Sequence, residues 1–395
     1  MAIWPFSAAV VAQDLNTYSP LEATGIIPAD FTISASVKYD QAKGGLHTEG
    51  DSKRTKQAKH DFLLESNFLI DQVLNSGRVV FNDSVSTYLN EILSEILKNE
   101  PELRSKMRAY AVRSASVNSF TTDDGIILVN LGLVAQLETE AQLAFILCHE
   151  IAHFTESHVI NAYVLREELK EQEGKLQRSS FDDRLLTQSQ YSKELEKEAD
   201  KLGLKRFLNT NYSTENVLNV FEAMRYAHLP FDDIPFDKNY FNSGLYRINE
   251  SYYLNKVRPV EAIAADKPSE THPSPDERQQ ILTTLLARAE PQEGKPFLIG
   301  RERFLHLRNV CRFELSELYV ASNNPVKAIY NSFLLQQDFP ENEFLKKTVA
   351  RALYRLSKYK SGGNFGFVHP GYSQIEGESQ QLFHLLYRLK PEELC

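Results

Sequence analysis

Apolar residues recur at helical spacing in one part of the chain and form short β-branched runs in another part. After Asp83, which can cap a helix, the apolar positions over 85–97 follow the period of an α-helix. Two short runs, 107–112 and 126–129, have the composition of strands, and turn residues at 123–125 precede the second run. The pattern therefore predicts a helix followed by a small sheet.

A second helix is predicted to begin at Thr139, which can form a capping box with Gln142. The next residues, 143–148, are apolar all round, so this helix should be deeply buried. We expect it to continue past His158 to about residue 170. Further elements are expected downstream: a polar loop at 172–190 and helices at 191–208 and 214–226.

The last third of the chain combines a long loop with a helical region. Residues 229–275 are rich in Pro, Asp, Asn and aromatic residues, which indicates an irregular loop. Such a loop either covers a cleft or is pinned to the core by its aromatic side chains. From about residue 304 the pattern is helical, and we expect an all-α domain of tetratricopeptide-like repeats over 300–395. Four residues fall at the positions of a 34-residue repeat, with a turn at 323–325: Leu315, Tyr319, Ala328 and Pro340.

Composition is that of a soluble globular protein, with 42% apolar and 25% charged residues in 395. The net charge is −9 and no basic block occurs, so nucleic acid is not expected as a partner. Three cysteines, widely spaced, provide neither a disulfide framework nor a cysteine zinc site, and Cys148 is expected to be a small buried side chain. No stretch reaches the roughly 18 apolar residues of a membrane-spanning helix.

The beginning of the chain has two readings. Residues 2–12 are nearly all apolar but lack a preceding positive charge, so they are either the trailing half of a signal peptide or a short buried segment. Residues 13–60 are mixed in composition and are interpreted as an extended leader or linker. Order is then expected to begin near Asp61.

The strongest chemical signal is His149-Glu150-Ile151-Ala152-His153. On a helix, residues i and i+4 lie on one face, so both imidazoles can reach one Zn²⁺ ion, and the adjacent glutamate can contact a metal-bound water. A surface helix with ordinary His and Glu is the alternative. The apolar flank opposes it, because unpaired His and Glu are costly in a core.

A catalytic zinc ion needs a third protein ligand. A metzincin would have glycine and histidine where this chain has Glu156 and Val159, so that class is excluded. On a continuous helix His158 would point away from His149, which predicts a packing or hydrogen-bonding role rather than ligation.

Carboxylates from the later helix, over 194–200, are the other candidates. Glu196 and Asp200 are i and i+4; the first can bind metal and the second can accept a hydrogen bond from the outer N–H of a ligand histidine. The small Ala199 allows close packing against the first helix. On its own, a run of acidic residues on a helix usually forms a solvent-exposed face. The prediction of a metal ligand here therefore depends on the pairing with residues 149–153.

Together, residues 149–153 and 196–200 resemble the motifs of the zinc peptidases that include the CAAX prenyl endopeptidases, the HtpX heat-shock proteases, the mitochondrial Oma-type protease and the periplasmic BepA-type proteases. The resemblance covers roughly 80–285. It implies an α+β, mostly helical fold, with a gluzincin-type peptidase domain at 61–290 that contains a small edge-strand sheet. With an all-α repeat domain behind it, the chain is most similar to the BepA type.

The resemblance implies roles for individual residues. Glu196, rather than Glu198, would be the third zinc ligand, and Glu150 would activate the zinc-bound water. The element 271–273 with Arg278 implies that His272 lies near the metal, where it either stabilises the transition state or occupies the open position. Segments 117–120 and 125–132 are similar to the family's edge strand, which pairs with extended substrate, and the expected substrate-binding residues are Asn118, Ile126, Ile127 and Leu128.

The expected activity is therefore zinc-dependent endopeptidase cleavage of protein substrates, in envelope quality control and at a periplasmic or otherwise exported location. Two alternatives remain. The chain can be a latent peptidase that acts mainly as a chaperone-like or assembly factor, with a protein partner at its C-terminal repeats. It can also be a non-proteolytic zinc hydrolase, which the edge-strand segment disfavours.

Overall fold

The structure, a computed structural model, describes residues 13–46, 48–170, 193–244, 246–260, 274–289 and 293–394. Its helices are α1 (Ala29–Thr32), α2 (Ala35–Ala42), α3 (Lys53–Leu74), α4 (Ser84–Ile96), α5 (Pro101–Lys106), α6 (Leu131–Gln136), α7 (Glu140–Thr155), α8 (His158–Lys170), α9 (Lys193–Phe207), α10 (Val220–Arg225), α11 (Pro275–Leu286), α12 (Arg301–Ala321), α13 (Pro325–Gln336), α14 (Glu343–Ser361) and α15 (Ser379–Arg388). The strands are β1 (Val79–Val80), β2 (Arg108–Val112), β3 (Ser119–Thr121) and β4 (Ile126–Asn130). The fold is mostly helical with one small mixed sheet.

Both strands predicted from the sequence belong to this sheet, whose order is β1-β2-β4-β3. β2 and β4 are parallel, whereas β1 and β3 pair antiparallel with β2 and β4 respectively. Ile126, Ile127 and Leu128 were expected to bind extended substrate on an edge strand, but β4 pairs with β2 on one side and β3 on the other, and these side chains are buried. Among the described strands, β1 and β3 form the two edges of the sheet.

α7 begins as predicted but ends earlier. Thr139 and Gln142 form both hydrogen bonds of the capping box. The helix stops at Thr155, and Ser157 has a φ of 54°, in the left-handed region. α8 starts at the next residue, His158. The single continuous helix expected from the sequence is therefore two helices.

α9 packs across α7 at two small residues. Ala199 is fully buried, as its size suggested. Gly203 comes closer still, since a Cβ added there would lie 2.9 Å from the Cα of His149. This close approach brings the carboxylates of α9 to the histidines of α7. Residues 191–192 and the predicted loop 172–190 lie outside the described residues.

The prediction of a leader or linker over 13–60 is wrong for the residues that the structure describes. Leu15, Tyr18 and Leu21 are buried in the main hydrophobic core. The Tyr18 hydroxyl and the Leu21 N–H both donate to the carboxylate of Glu314 on α12. Ordered structure thus begins well before Asp61, and the N-terminal segment joins the main core to α12. Residues 1–12 are not described.

A buried carboxylate fixes the start of α7. Glu140 is fully buried and accepts hydrogen bonds from the hydroxyls of Tyr88 and Tyr212. It also accepts the backbone N–H groups of residues 298–300, at 3.0–3.3 Å. The helix is therefore anchored to α4 and to the segment that leads into α12.

The C-terminal part is all-α, as predicted, with its first turn at 322–324. Aromatic residues of the loop that precedes it, among them Phe236 and Tyr253, are buried in a second core with α13 and α15. The described part of this loop is thus attached to the core by these aromatic side chains; residues 245 and 261–273 are not described. The helix predicted over 214–226 is a 3-10 turn, Val217–Asn219, followed by α10.

The boundary expected near residue 300 does not separate two cores. Phe304, Leu307 and Phe313 of α12 lie in the same cluster as the residues of α4 and α7. The tetratricopeptide-like character of α12 to α15 stays a prediction. Among the described residues, no helix is both long and apolar enough to cross a bilayer.

Candidate metal centre

Three predicted ligands converge on one point. The Nε2 atoms of His149 and His153 are 2.9 Å apart. Glu196 Oε2 lies 3.8 Å from the first of these nitrogens, and Glu196 Oε1 lies 3.7 Å from the second. All three side chains are buried, and one donor atom from each lies within 4.8 Å of the others. The helical spacing on α7 and the close approach of α9 produce this arrangement.

The outer ring nitrogen of His149, the one that faces away from the other two candidate ligands, contacts a carboxylate. Its Nδ1 lies 3.0 Å from Asp200 Oδ1. Arg278 on α11 donates to both oxygens of Asp200, at 2.7 and 2.8 Å, and its Nη1 lies 3.1 Å from Glu196 Oε2. Burial opposes ionisation of Asp200, but Arg278 and His149 outweigh it and hold its pKa well below the ordinary value. Asp200 therefore contacts the outer nitrogen of His149, and Arg278 contacts the carboxylates of both Asp200 and Glu196.

The outer nitrogen of His153 has a different partner. His158 Nδ1 lies 3.0 Å from His153 Nδ1. The other ring nitrogen of His158, Nε2, is 3.5 Å from Glu198 Oε2 on α9. Burial lowers the pKa of His158. The expected hydrogen-bonding role of this histidine is confirmed, although the geometry that produces it is the break after α7 rather than a continuous helix.

Glu150 is held by two hydroxyls that the sequence analysis missed. Ser119 Oγ donates to Glu150 Oε1 at 2.6 Å, and Thr121 Oγ1 donates to Oε2 at 2.8 Å. Burial raises the pKa of Glu150, while His149 and these two hydrogen bonds oppose the increase. Residues i and i+2 of a strand share a face, so the Ser-Phe-Thr alternation over 119–121 indicates that the two hydroxyls lie on the same face.

The donor set fits Zn²⁺. Zinc takes imidazole nitrogen at about 2.0–2.1 Å and carboxylate oxygen at about 2.0–2.2 Å, which in a tetrahedron separates ligand atoms by roughly 3.3 Å. The donor spacings of 2.9, 3.7 and 3.8 Å lie on both sides of that value. Glu150, Glu196, Asp200 and Arg278 carry a formal charge of −2 at this site, which a divalent cation would neutralise.

Other candidates are not part of this cluster. Asn118 directly precedes β3 and its carbonyl accepts the N–H of Asn130, so it lies beside the edge strand. Cys148 points into the core, and burial raises the pKa of its thiol, as expected of a packing residue. His272 falls outside the described residues.

Relatives with curated names resemble part of the chain. The beta-barrel assembly-enhancing protease of Yersinia pestis is 25% identical over 95 residues, 24% of this chain and 20% of the relative. The putative protein of that name from Vibrio cholerae is 25% identical over 89 residues, 22% of this chain and 18% of the relative. The protein from Escherichia coli K12 is 20% identical over 95 residues, again 24% and 20%. The matched region thus spans about a fifth of each relative's length.

A family assignment rests on a longer match. Residues 83–286, slightly more than half of the chain, match peptidase family M48. The matched range contains the whole described metal cluster together with β2 to β4. This chain therefore belongs to peptidase family M48, the metallopeptidase family that its two helix motifs had indicated.

Proposed function

We propose that this chain is a zinc-dependent endopeptidase that hydrolyses peptide bonds of protein substrates. The observation that carries the proposal is the convergence of His149, His153 and Glu196, with the carboxylate of Glu150 on the same helix turn. Two imidazoles and one carboxylate are a ligand set of catalytic zinc sites, which leave one position open.

Glu150 is the proposed general base. Zinc, when bound at these ligands, would acidify a water molecule and polarise the scissile carbonyl. The carboxylate of Glu150 accepts the proton of the attacking water and passes it to the leaving amine. Ser119 and Thr121 hold the two carboxylate oxygens in one orientation, so the base does not have to be ordered during the reaction.

β3 is the proposed substrate strand partner, in place of β4. Asn130 N–H donates to Asn118 O and Thr122 N–H donates to Ile126 O, so residues 118 and 122 bond to β4. In an antiparallel ladder the intervening residues 119 and 121 then direct their backbone groups to the free edge. Because their hydroxyls contact Glu150, an extended substrate on this edge would lie beside the base.

Metal analysis and a protease assay test the proposal together. The wild-type chain should carry about one zinc ion, and Glu196→Ala should lose or weaken it. Glu150→Gln should retain zinc but lose cleavage of fluorescent unfolded casein. Absence of zinc from the reconstituted wild type would reject the metal centre, and full activity of zinc-loaded Glu150→Gln would reject Glu150 as the base.

The relatives' names favour a second role. They are called assembly-enhancing proteases, so an assembly function can accompany or exceed proteolysis. In that case the C-terminal helices would bind the partner, and His272 would hold the peptidase latent on the open metal position. Glu150→Gln separates the two roles, because it should abolish cleavage and leave an assembly or partner-binding assay unaffected.

An exported, periplasmic location belongs to the same proposal, since the relatives act, by name, on the assembly of β-barrels, which occur in bacterial outer membranes. Fractionation of the source cells, with an antibody against the chain, should find the protein outside the cytoplasm. Recovery with cytoplasmic markers alone would contradict this location.

A further inference from the structure

The two histidines of the metal centre are supported in different ways. The outer nitrogen of His149 meets Asp200, a carboxylate held by Arg278. The outer nitrogen of His153 meets another imidazole, that of His158, at 3.0 Å. A carboxylate can only accept, so its role toward His149 is fixed, whereas the His153–His158 contact requires one ring to donate and the other to accept.

The direction of this second hydrogen bond follows from the site. His153 Nε2 faces Glu196 and His149 Nε2, so it is the nitrogen available to a metal. His153 then carries its proton on Nδ1 and donates to Nδ1 of His158. The proton of His158 is consequently on Nε2, which faces Glu198 Oε2 at 3.5 Å.

We propose that His158 is a positioning residue that holds the zinc ligand His153 in its metal-binding tautomer and orientation, and that Glu198 in turn orients His158. The inference rests on the proposed zinc centre. Support of a ligand histidine through its outer N–H raises its basicity and fixes its ring, and loss of such support weakens metal binding by about 10- to 100-fold.

The local backbone is built for this contact. On a continuous helix, five residues correspond to about 500°, which would turn His158 roughly 140° away from His153. The left-handed Ser157 ends α7 and brings the first residue of α8 back toward it. His158 is 1% exposed, and α8 is fixed behind it by Val159, Ala162 and Tyr163, which pack against α3.

Glu198 is the less constrained end of this chain of contacts. Its side chain is 53% exposed, whereas that of Asp200 is 2% exposed. Water can therefore take over part of the contact that Glu198 makes with His158. We expect substitution of Glu198 to weaken zinc binding less than substitution of His158.

The test is the zinc dissociation constant of the full chain, measured by competition with a chromophoric chelator. His158→Leu removes the acceptor and should weaken binding by about 10- to 100-fold. His158→Asn places an amide oxygen near the position of Nδ1 and should recover most of the affinity; His158→Gln places its oxygen further out and should recover less. His369→Leu, at a buried histidine that contacts Phe383 in the second core, is the matched control and should bind zinc as the wild type does.

Thermal unfolding of each metal-free variant separates metal support from folding. If His158→Leu does not fold, the comparison of His158→Asn with His158→Gln decides, and equal affinities would overturn the inference. Wild-type affinity in a folded His158→Leu would overturn it as well, while leaving the zinc centre intact. Absence of zinc binding by the wild type would instead overturn the proposed function itself.

Discussion

The two hydroxyls on β3 provide a direct test of how Glu150 is prepared for catalysis. Thr121→Val keeps the shape of the side chain and removes the donor to Oε2, and Ser119→Ala removes the donor to Oε1. Neither residue belongs to the donor set of the metal, so zinc binding should be unchanged. The expected effect is confined to the base.

The magnitude follows from the type of hydrogen bond. A hydrogen bond to a charged group contributes about 1.5–3 kcal/mol, which corresponds to roughly one to two pKa units. Burial raises the pKa of Glu150, and the two hydroxyls oppose that increase by stabilising the carboxylate. Removal of one donor should therefore raise the pKa of Glu150 further, by less than the full strength of the hydrogen bond because water partly replaces the lost partner.

The base must be ionised to act, so a higher pKa moves the acidic limb of the pH dependence of kcat/KM to higher pH. We expect an upward shift of the acidic limb for Thr121→Val and a larger upward shift for the double variant. On the plateau, loss of orientation should lower kcat about tenfold, with KM little changed. The assay is hydrolysis of fluorescent casein by zinc-loaded protein over pH 5–9.

Two outcomes would contradict the role of these hydroxyls. An acidic limb that stays in place, in variants that bind zinc normally, would show that these hydroxyls do not stabilise the ionised base. A loss of activity explained entirely by loss of zinc would assign them to the metal site instead.

Three further predictions concern packing and charge. Gly203→Ala should push α9 away from His149 and weaken zinc binding at least tenfold, whereas Gly366→Ala, where nothing lies within 4 Å of the new Cβ, should not. Glu140→Gln should lower the free energy of unfolding in urea by about 1–3 kcal/mol, because the amide NH2 replaces an acceptor oxygen among five buried donors and leaves some of them without a partner. Burial raises the pKa of Asp123 to about 6, so its ionised form costs stability at neutral pH, and Asp123→Asn should stabilise by about 1–2 kcal/mol at pH 7.5 in thermal unfolding.

A different experimental result would contradict each of these three predictions. Equal zinc affinity of the two glycine variants would mean that the helices can separate without moving the ligands. A Glu140→Gln variant as stable as the wild type would show that its hydrogen bonds are replaceable. For Asp123 the gain must disappear near pH 4, where the carboxyl of the folded protein is already protonated; a gain that persists there would have another cause.

The candidate metal ligands could be predicted because local rules determine their spacing. Residues i and i+4 of a helix share a face whatever the rest of the fold, and this places His149 beside His153 and Glu196 near Asp200. The capping box at Thr139 is local in the same sense. The family resemblance then selected Glu196 among several carboxylates, and the structure brings it to the histidines.

The remaining features depend on contacts between distant segments. The alternation of residues 119–121 indicates that Ser119 and Thr121 share a face, but not that this face of β3 packs on α7, where both hydroxyls reach Glu150. The break between α7 and α8 lies at a single residue with left-handed backbone, Ser157. Serine rarely adopts this conformation, so the residue type did not indicate a break there. The polar composition of 13–60 concealed three buried residues at a spacing of three, Leu15, Tyr18 and Leu21.

The first C-terminal helix, α12, shares its hydrophobic core with the part of the chain that matches family M48, although that match ends at residue 286. Phe304 and Phe313 of α12 fill the core shared with α7, and Glu314 of the same helix binds the N-terminal segment. Glu140, at the first residue of α7, accepts the N–H groups of 298–300, directly before α12. α12 is thus joined, through the buried carboxylate of Glu140, to the start of α7, which carries His149 and His153. A protein bound to α12 would contact a helix linked in this way to the candidate metal centre. The same contacts make separation of the chain near residue 300 costly, because they would leave a buried anion and a large apolar surface without partners.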